Sequence, residues 1–197
     1  MTLDKLSLIK SKYGGVASWA IWTDSGSGDT SDVSIFDLRP DNVALRKLHT
    51  KYVLVALNIS GQIKIPFGNF HGGPRDFMLR DALNGTPLEG AYLTDLLKNY
   101  EDKNSATVVR HFKKNTDEFN LQMADFLKEL IEVGADQRTT LIALGEGVYQ
   151  LLQLASVNYK VEKLRHYSFP VLSKKSYRQE VMQLLSRLGE AEYSETS

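Results

Sequence analysis

Apolar residues fall along this chain in two rhythms, and the switching between them predicts the fold. The run Tyr52 to Leu57 is unbroken, without the every-second-residue alternation of a half-exposed strand, which suits a strand covered on both faces. "GAYLTDLLK", "TTLIALG" and "YKVEKLRHYSF" read as three further strands. Other stretches repeat at helical spacing. Leu3, Leu6 and Ile9 mark an opening helix stopped by Gly14-Gly15, "RPDNVALRKLHT" a short helix from about Asp41, and "RDFMLRDAL" another. "TDEFNLQMADFLKELIEVGA" predicts a long helix with Thr116 as its N-cap and Gly134 as its stop, burying Phe119, Met123, Phe126, Leu127, Leu130 and Ile131 on one face. "EGVYQLLQLA" follows the third strand as a helix, and "SKKSYRQEVMQLLSRLG", capped by Ser173, closes the chain before a tail expected to fray from about residue 190. "VASWAIWTDSGSGDTSD" reads as an aromatic cluster running into a surface loop, and a second loop follows Asn58 as far as about Pro74.

Strands alternating with helices imply an α/β fold: a three-layer sandwich around a central, mostly parallel sheet of four strands. A length of 197 residues and 42% apolar content suit one core, so a single domain over 1–197 is expected, its first 50 residues an extension without an assigned role.

Charge narrows the partners. Lysine plus arginine balance aspartate plus glutamate at 24 each, so contact with nucleic acid has to come from a local patch, and non-specific affinity is expected to be weak. No cysteine is present, which excludes disulfides, thiolate nucleophiles and thiolate metal sites. His49, His71, His111 and His166 lack metal-ligand spacing, so neither metal nor cofactor is expected. The first residues mix charged with apolar side chains, unlike a signal peptide, and no segment is long enough to span a bilayer; a soluble, cytoplasmic monomer is the expectation.

In open parallel sheets ligands bind beyond the carboxyl ends of the strands. That rule singles out Asn58 after "VLVAL", Asp95 in "AYLTDLLK" and His166 after "VEKLR". Each has a plainer reading: an asparagine ending a strand in a turn, an aspartate paired with a base, a histidine facing water among Lys163 and Arg165.

The motifs in order carry a resemblance. "VALNISG" is similar to the first motif of the uracil-DNA glycosylase superfamily, which in its mismatch-specific and single-strand-selective branches reads Gly-hydrophobic-Asn-Pro-Gly after a buried strand. "IPFGNFHGGPRDFMLRDAL" resembles the Phe-bearing loop and helix downstream, "AYLTDLLK" the second strand, "TTLIALGEGVYQLL" the "ALG" strand-to-helix segment, and "LRHYSF" the late His-Pro-Ser motif. The likeness runs from about Tyr52 through the closing helix. It departs at Ile59 and Tyr167, where the family has proline, and at Asp95, where the uracil-specific branches have asparagine.

The resemblance implies a monofunctional DNA base-excising N-glycosylase. Asn58 would hold the attacking water and His166 would donate a hydrogen bond to the leaving base. Phe67 would be the stacking aromatic, with Phe70 its close competitor, and Ser60 and Gly61 would complete the first motif's loop. Asp95 would read the base edge, either protonated in a dry pocket or facing a base with an amino donor, unless it points away to a basic partner. Ser168, Arg165, Lys174, Lys175 and Arg178 would contact phosphates, and Phe169 to Leu172 would supply an apolar wedge for the base stack. Two rivals remain open at this level: a non-catalytic nucleic-acid or nucleotide-binding protein on the same fold, and a glycosidase of free nucleosides.

Overall fold

A computed structural model describes residues 1–190 except 24–27, 40, 60, 99 and 103. Six helices, α1 (Leu3–Tyr13), α2 (Asp76–Leu83), α3 (Ser105–Lys114), α4 (Thr116–Val133), α5 (Glu146–Leu154) and α6 (Lys174–Arg187), surround five strands, β1 (Ala17–Trp19), β2 (His49–Asn58), β3 (Ala91–Leu97), β4 (Thr140–Leu144) and β5 (Lys160–Leu164). The strand order is β1-β3-β2-β4-β5; β2 to β5 are mutually parallel and β1 pairs antiparallel with β3. The protein is thus an α/β fold whose five-stranded, mostly parallel sheet is flanked by helices.

The unbroken apolar runs are explained by two cores, one on each face. Val53, Val55 and Leu57 of β2 pack with α1, α3, α4 and α5, while Tyr52, Leu54 and Ala56 pack with α2 and α6. Both faces of the strand are dry, so alternation is erased. Gly134 closes α4 in the left-handed conformation (φ 98°), and Ser173 caps α6 by accepting from the Ser176 amide, as their residue types predict.

Four expectations are corrected. The sheet has five strands rather than four, because "ASW", read as part of an aromatic loop, is the antiparallel edge strand β1. Residues 1–50 are accordingly not peripheral: Leu6, Ile9, Trp19, Phe36 and Leu45 sit in the main core. In α4, Ile131 is 68% exposed, having rotated off the face that Phe119, Phe126 and Leu130 bury, and the N-cap position falls to Asn115, with Thr116 the first helical residue. Helix α3, in a stretch without a sequence assignment, buries only Val108 and Phe112. Among the described residues no helix is long and apolar enough to cross a membrane.

The chain leaves β2 for α2 on one face and leaves the adjacent β4 for α5 on the other. Connections that part in this way open a crevice at the strand ends between them.

Candidate functional site

That crevice is a cleft of about 1080 Å³ at the carboxyl ends of the parallel strands. Asn58, Gly61, Phe70, Asp95, His166 and Ser168 all line it. These residues come from β2, the loop after it, β3 and the loop after β5, so the parallel topology gathers what the sequence spreads over more than a hundred positions.

Asn58 ends β2 with its amide fixed: Nδ2 donates to the carbonyl oxygens of Tyr100 (2.9 Å) and Asp102 (2.8 Å). Carbonyl partners can only accept, so the amide nitrogen must face them and Oδ1 is left as an acceptor. His166 is fixed in the complementary sense. Its Nδ1 accepts from the Ser168 amide (3.2 Å) and lies 2.7 Å from the Ser168 hydroxyl. A backbone N–H is only a donor, so Nδ1 carries no proton and the neutral ring holds its hydrogen on Nε2. Burial lowers the His166 pKa from 6.5 to about 4, so the ring is neutral at physiological pH although part of its surface meets the cleft.

Asp95 lies on the α2/α6 face of β3, 2% exposed, and its Oδ2 accepts from Asn69 Nδ2 at 2.7 Å. Burial raises its pKa from 3.8 to about 6, and the Asn69 hydrogen bond and the nearby Lys98 hold it from going higher. Lys98 does not pair with this carboxylate. It donates to the Asp95 backbone oxygen and bridges Glu129 of α4 at 2.8 Å across the other face, where Tyr92 and Thr94 also hold Glu129.

The loop between β2 and α2 is held under strain. Phe67 and Phe70 both adopt φ 63°, a left-handed conformation that bulky side chains rarely take. Phe67 is locked there by burial against Phe36, by its own amide on the Gly14 oxygen (2.7 Å), and by the Ser18 hydroxyl on its carbonyl (2.9 Å). Phe67 is therefore a core residue, fully buried and outside the cleft lining, and its expected stacking role is corrected. Of these two phenylalanines, Phe70 is the one that reaches the cleft, with its carbonyl held by the Trp22 indole N–H (3.2 Å). Ser60 lies outside the described residues.

The basic patch expected from the His166 loop to the start of α6 is largely taken up by internal partners. Arg178 caps α2 by donating to the carbonyls of Asp81, Ala82 and Asn84; Lys174 pairs with Asp81 (2.6 Å) and Arg165 with Glu180 (3.3 Å). Lys175 is exposed and makes no ion pair among the described residues, and none of the four lines the cleft. Of the expected wedge, Leu172 is buried, Phe169 (46% exposed) and Pro170 line the cleft, and Val171 (83% exposed) lies outside its lining.

Several lining residues were not singled out as site candidates in the sequence. Asp76 opens α2 almost fully buried, accepting from the Gly73 amide (2.7 Å) and the Tyr167 hydroxyl (3.0 Å), and burial raises its pKa. His71, 8% exposed, lies between Trp22 and Phe36 with both ring nitrogens unpartnered; the backbones of Trp19 and Thr30 approach it outside hydrogen-bond geometry, and burial lowers its pKa to about 4. The two polar side chains either side of Phe70 in "GNFHGG" were the available signal for Asn69 and His71. Beside the cleft, and sharing Ser105, Glu146 and Gly147 with it, a second groove of about 420 Å³ presents Arg110, Lys113 and Lys114 of α3. Among the described residues these three make no ion pair with a carboxylate, and α3 holds no acidic residue. No group of three or more histidine, aspartate and glutamate side chains is placed to hold a metal among the described residues.

Comparison with known protein families, curated proteins and solved structures finds no match to this chain.

Proposed function

We propose that the protein is a monofunctional DNA base-excising N-glycosylase on a uracil-DNA glycosylase-like fold. One observation carries the reading. Asn58 and His166, 108 positions apart by their numbers, line one cleft in complementary states, an open carbonyl acceptor and a neutral ring bearing its proton on Nε2.

Those are the two groups that glycosidic hydrolysis needs. As the C1′–N bond breaks, its electron pair leaves with the base and C1′ becomes cationic; a water oxygen then bonds to C1′ and its proton is lost, while the base anion is finally protonated by solvent. A cationic carbon requires a held water rather than a strong base. Asn58 Oδ1 accepts a hydrogen bond from that water, and His166 Nε2–H meets the oxygen on which base charge accumulates. Such a donor is worth about 3 kcal/mol of transition-state stabilisation. Phe70 gives the base an apolar surface, and exposed Phe169 and Val171 fill the gap it leaves in the stack. The unpaired cations of α3 supply the phosphate contacts, in place of α6. We assign no amine nucleophile, so the product is an intact abasic site.

The test is abasic-site formation on single- and double-stranded oligonucleotides carrying one uracil, hypoxanthine, xanthine, mismatched thymine, cytosine or adenine. At least one substrate is expected to be cleaved, with Asn58→Ala slowing it about 100-fold by releasing the water. No abasic product from any of them, beside an active control glycosylase, overturns the proposal.

A further inference from the structure

The wall of the cleft around Asp95 is built mainly of acceptors. Asn69 uses both amide hydrogens, on the Val16 carbonyl (3.0 Å) and on Asp95 Oδ2 (2.7 Å), which leaves its own Oδ1 and Asp95 Oδ1 to meet a ligand. The Tyr167 hydroxyl hydrogen is taken by Asp76, whose second oxygen is taken by the Gly73 amide. The neutral His71 ring packs behind this wall with both nitrogens buried, so it offers no donor to the cleft.

The charges around Asp95 do not cancel its own. Lys98, the cation just past the end of β3, is bound to Glu129 on the opposite face of the sheet. Asp76 of α2 and Tyr167 of the loop after β5 pair with each other. Asn69 is neutral and donates to only one carboxylate oxygen. Although burial lifts its pKa to about 6, Asp95 is ionised at neutral pH and presents lone pairs alone.

We propose that the base bound in this cleft carries an exocyclic amino group, as cytosine- and adenine-type bases do, and that Asp95, oriented by Asn69, selects it over uracil and hypoxanthine. An amino group offers its two hydrogens to Asp95 Oδ1 and Asn69 Oδ1. Uracil presents O4 at that position, which sets lone pairs against a buried anion. An unmatched polar contact of this kind discriminates by roughly ten- to a hundredfold. The inference rests on the base slot proposed above, but it concerns recognition and is separable from cleavage.

The experiment titrates the intact protein at pH 7.5 with free cytosine, adenine, uracil and hypoxanthine, following binding by NMR shift changes. It then repeats the series with Asp95→Asn, a near-isosteric change that gives the position an amide donor, after checking its fold by thermal unfolding. The expected result is at least roughly tenfold tighter binding of cytosine or adenine than of both keto bases, shifting toward uracil in Asp95→Asn. A wild-type preference for uracil or hypoxanthine, no binding of either amino base, or a preference untouched by Asp95→Asn overturns the inference. The same bases placed singly in oligonucleotides separate the two proposals. Selective binding of amino bases without abasic product leaves the base class standing and removes the glycosylase, whereas abasic product from uracil but not from cytosine or adenine does the reverse.

Discussion

Asp95 is a carboxylate held where water hardly reaches, and this has a consequence for stability as well as recognition. Its pKa rises from 3.8 to about 6 on folding, so between those values the folded protein binds more protons than the unfolded chain. The stabilisation is therefore complete below about pH 4 and is lost as pH rises through 6. At 1.36 kcal/mol per pH unit the loss is about 3 kcal/mol at neutral pH. Asp95→Asn should accordingly be more stable than wild type at pH 7.5, with the gap shrinking to roughly half by pH 5 in urea titrations. A gap that stays constant with pH would show that Asp95 does not titrate as its burial requires. His71 and His166 act with the opposite sign. Their folded pKa values, about 4, lie below 6.5, so their contribution is present above 6.5 and is lost as pH falls through 4.

At this scale the sequence was readable where a side chain ends a strand. Asn58 ends one parallel strand and His166 follows another, and both line the cleft. Phe67 and Phe70 could not be told apart, because two aromatics three positions apart in one irregular loop carry no periodicity. The choice between them is made by the Gly14 and Ser18 contacts, which come from a segment fifty residues away.

Among the elements, β2, β4, α4 and α6 were legible because burial on two faces, or on one helical stripe, leaves a pattern in the residues themselves. Strand β1 was not. Three residues are too few to show a period, and its partner β3 lies more than seventy positions along the chain. Helix α3 has two buried residues among ten, which is too narrow a stripe to stand out from a charged stretch. The element interface with most at stake is α4 on β3, where Glu129, 1% exposed, holds Lys98, Tyr92 and Thr94 together. Removing one partner of a buried pair leaves an uncompensated charge, so Glu129→Ala should cost about 3 kcal/mol or more in equilibrium unfolding, and Glu129→Ala with Lys98→Met distinctly less than the sum of the single changes. Additive losses would mean that the pair is not coupled.

For the whole molecule, a net charge of zero hides an uneven distribution: Lys174 and Arg178 of α6 are tied to α2, Arg165 pairs with Glu180 of α6, and the α3 cations, which make no ion pair among the described residues, flank the cleft. Each phosphate neutralised releases counterions, so affinity for a single-stranded oligonucleotide should fall with salt, with a logarithmic slope about 0.7 per phosphate contact. Arg110→Gln with Lys114→Gln should flatten that slope by about 1.4 for two lost contacts, whereas Lys174→Gln should leave it unchanged. The reverse pattern would return the nucleic-acid contact to α6.

The cleft has meaning as an active site only if its two fixed groups act on the same bond. Single-turnover base release, measured on the best oligonucleotide substrate together with its affinity, should fall about 100-fold in both Asn58→Ala and His166→Ala while affinity stays within about twofold. Base release at the wild-type rate in either variant, with the fold intact, would contradict the glycosylase reading.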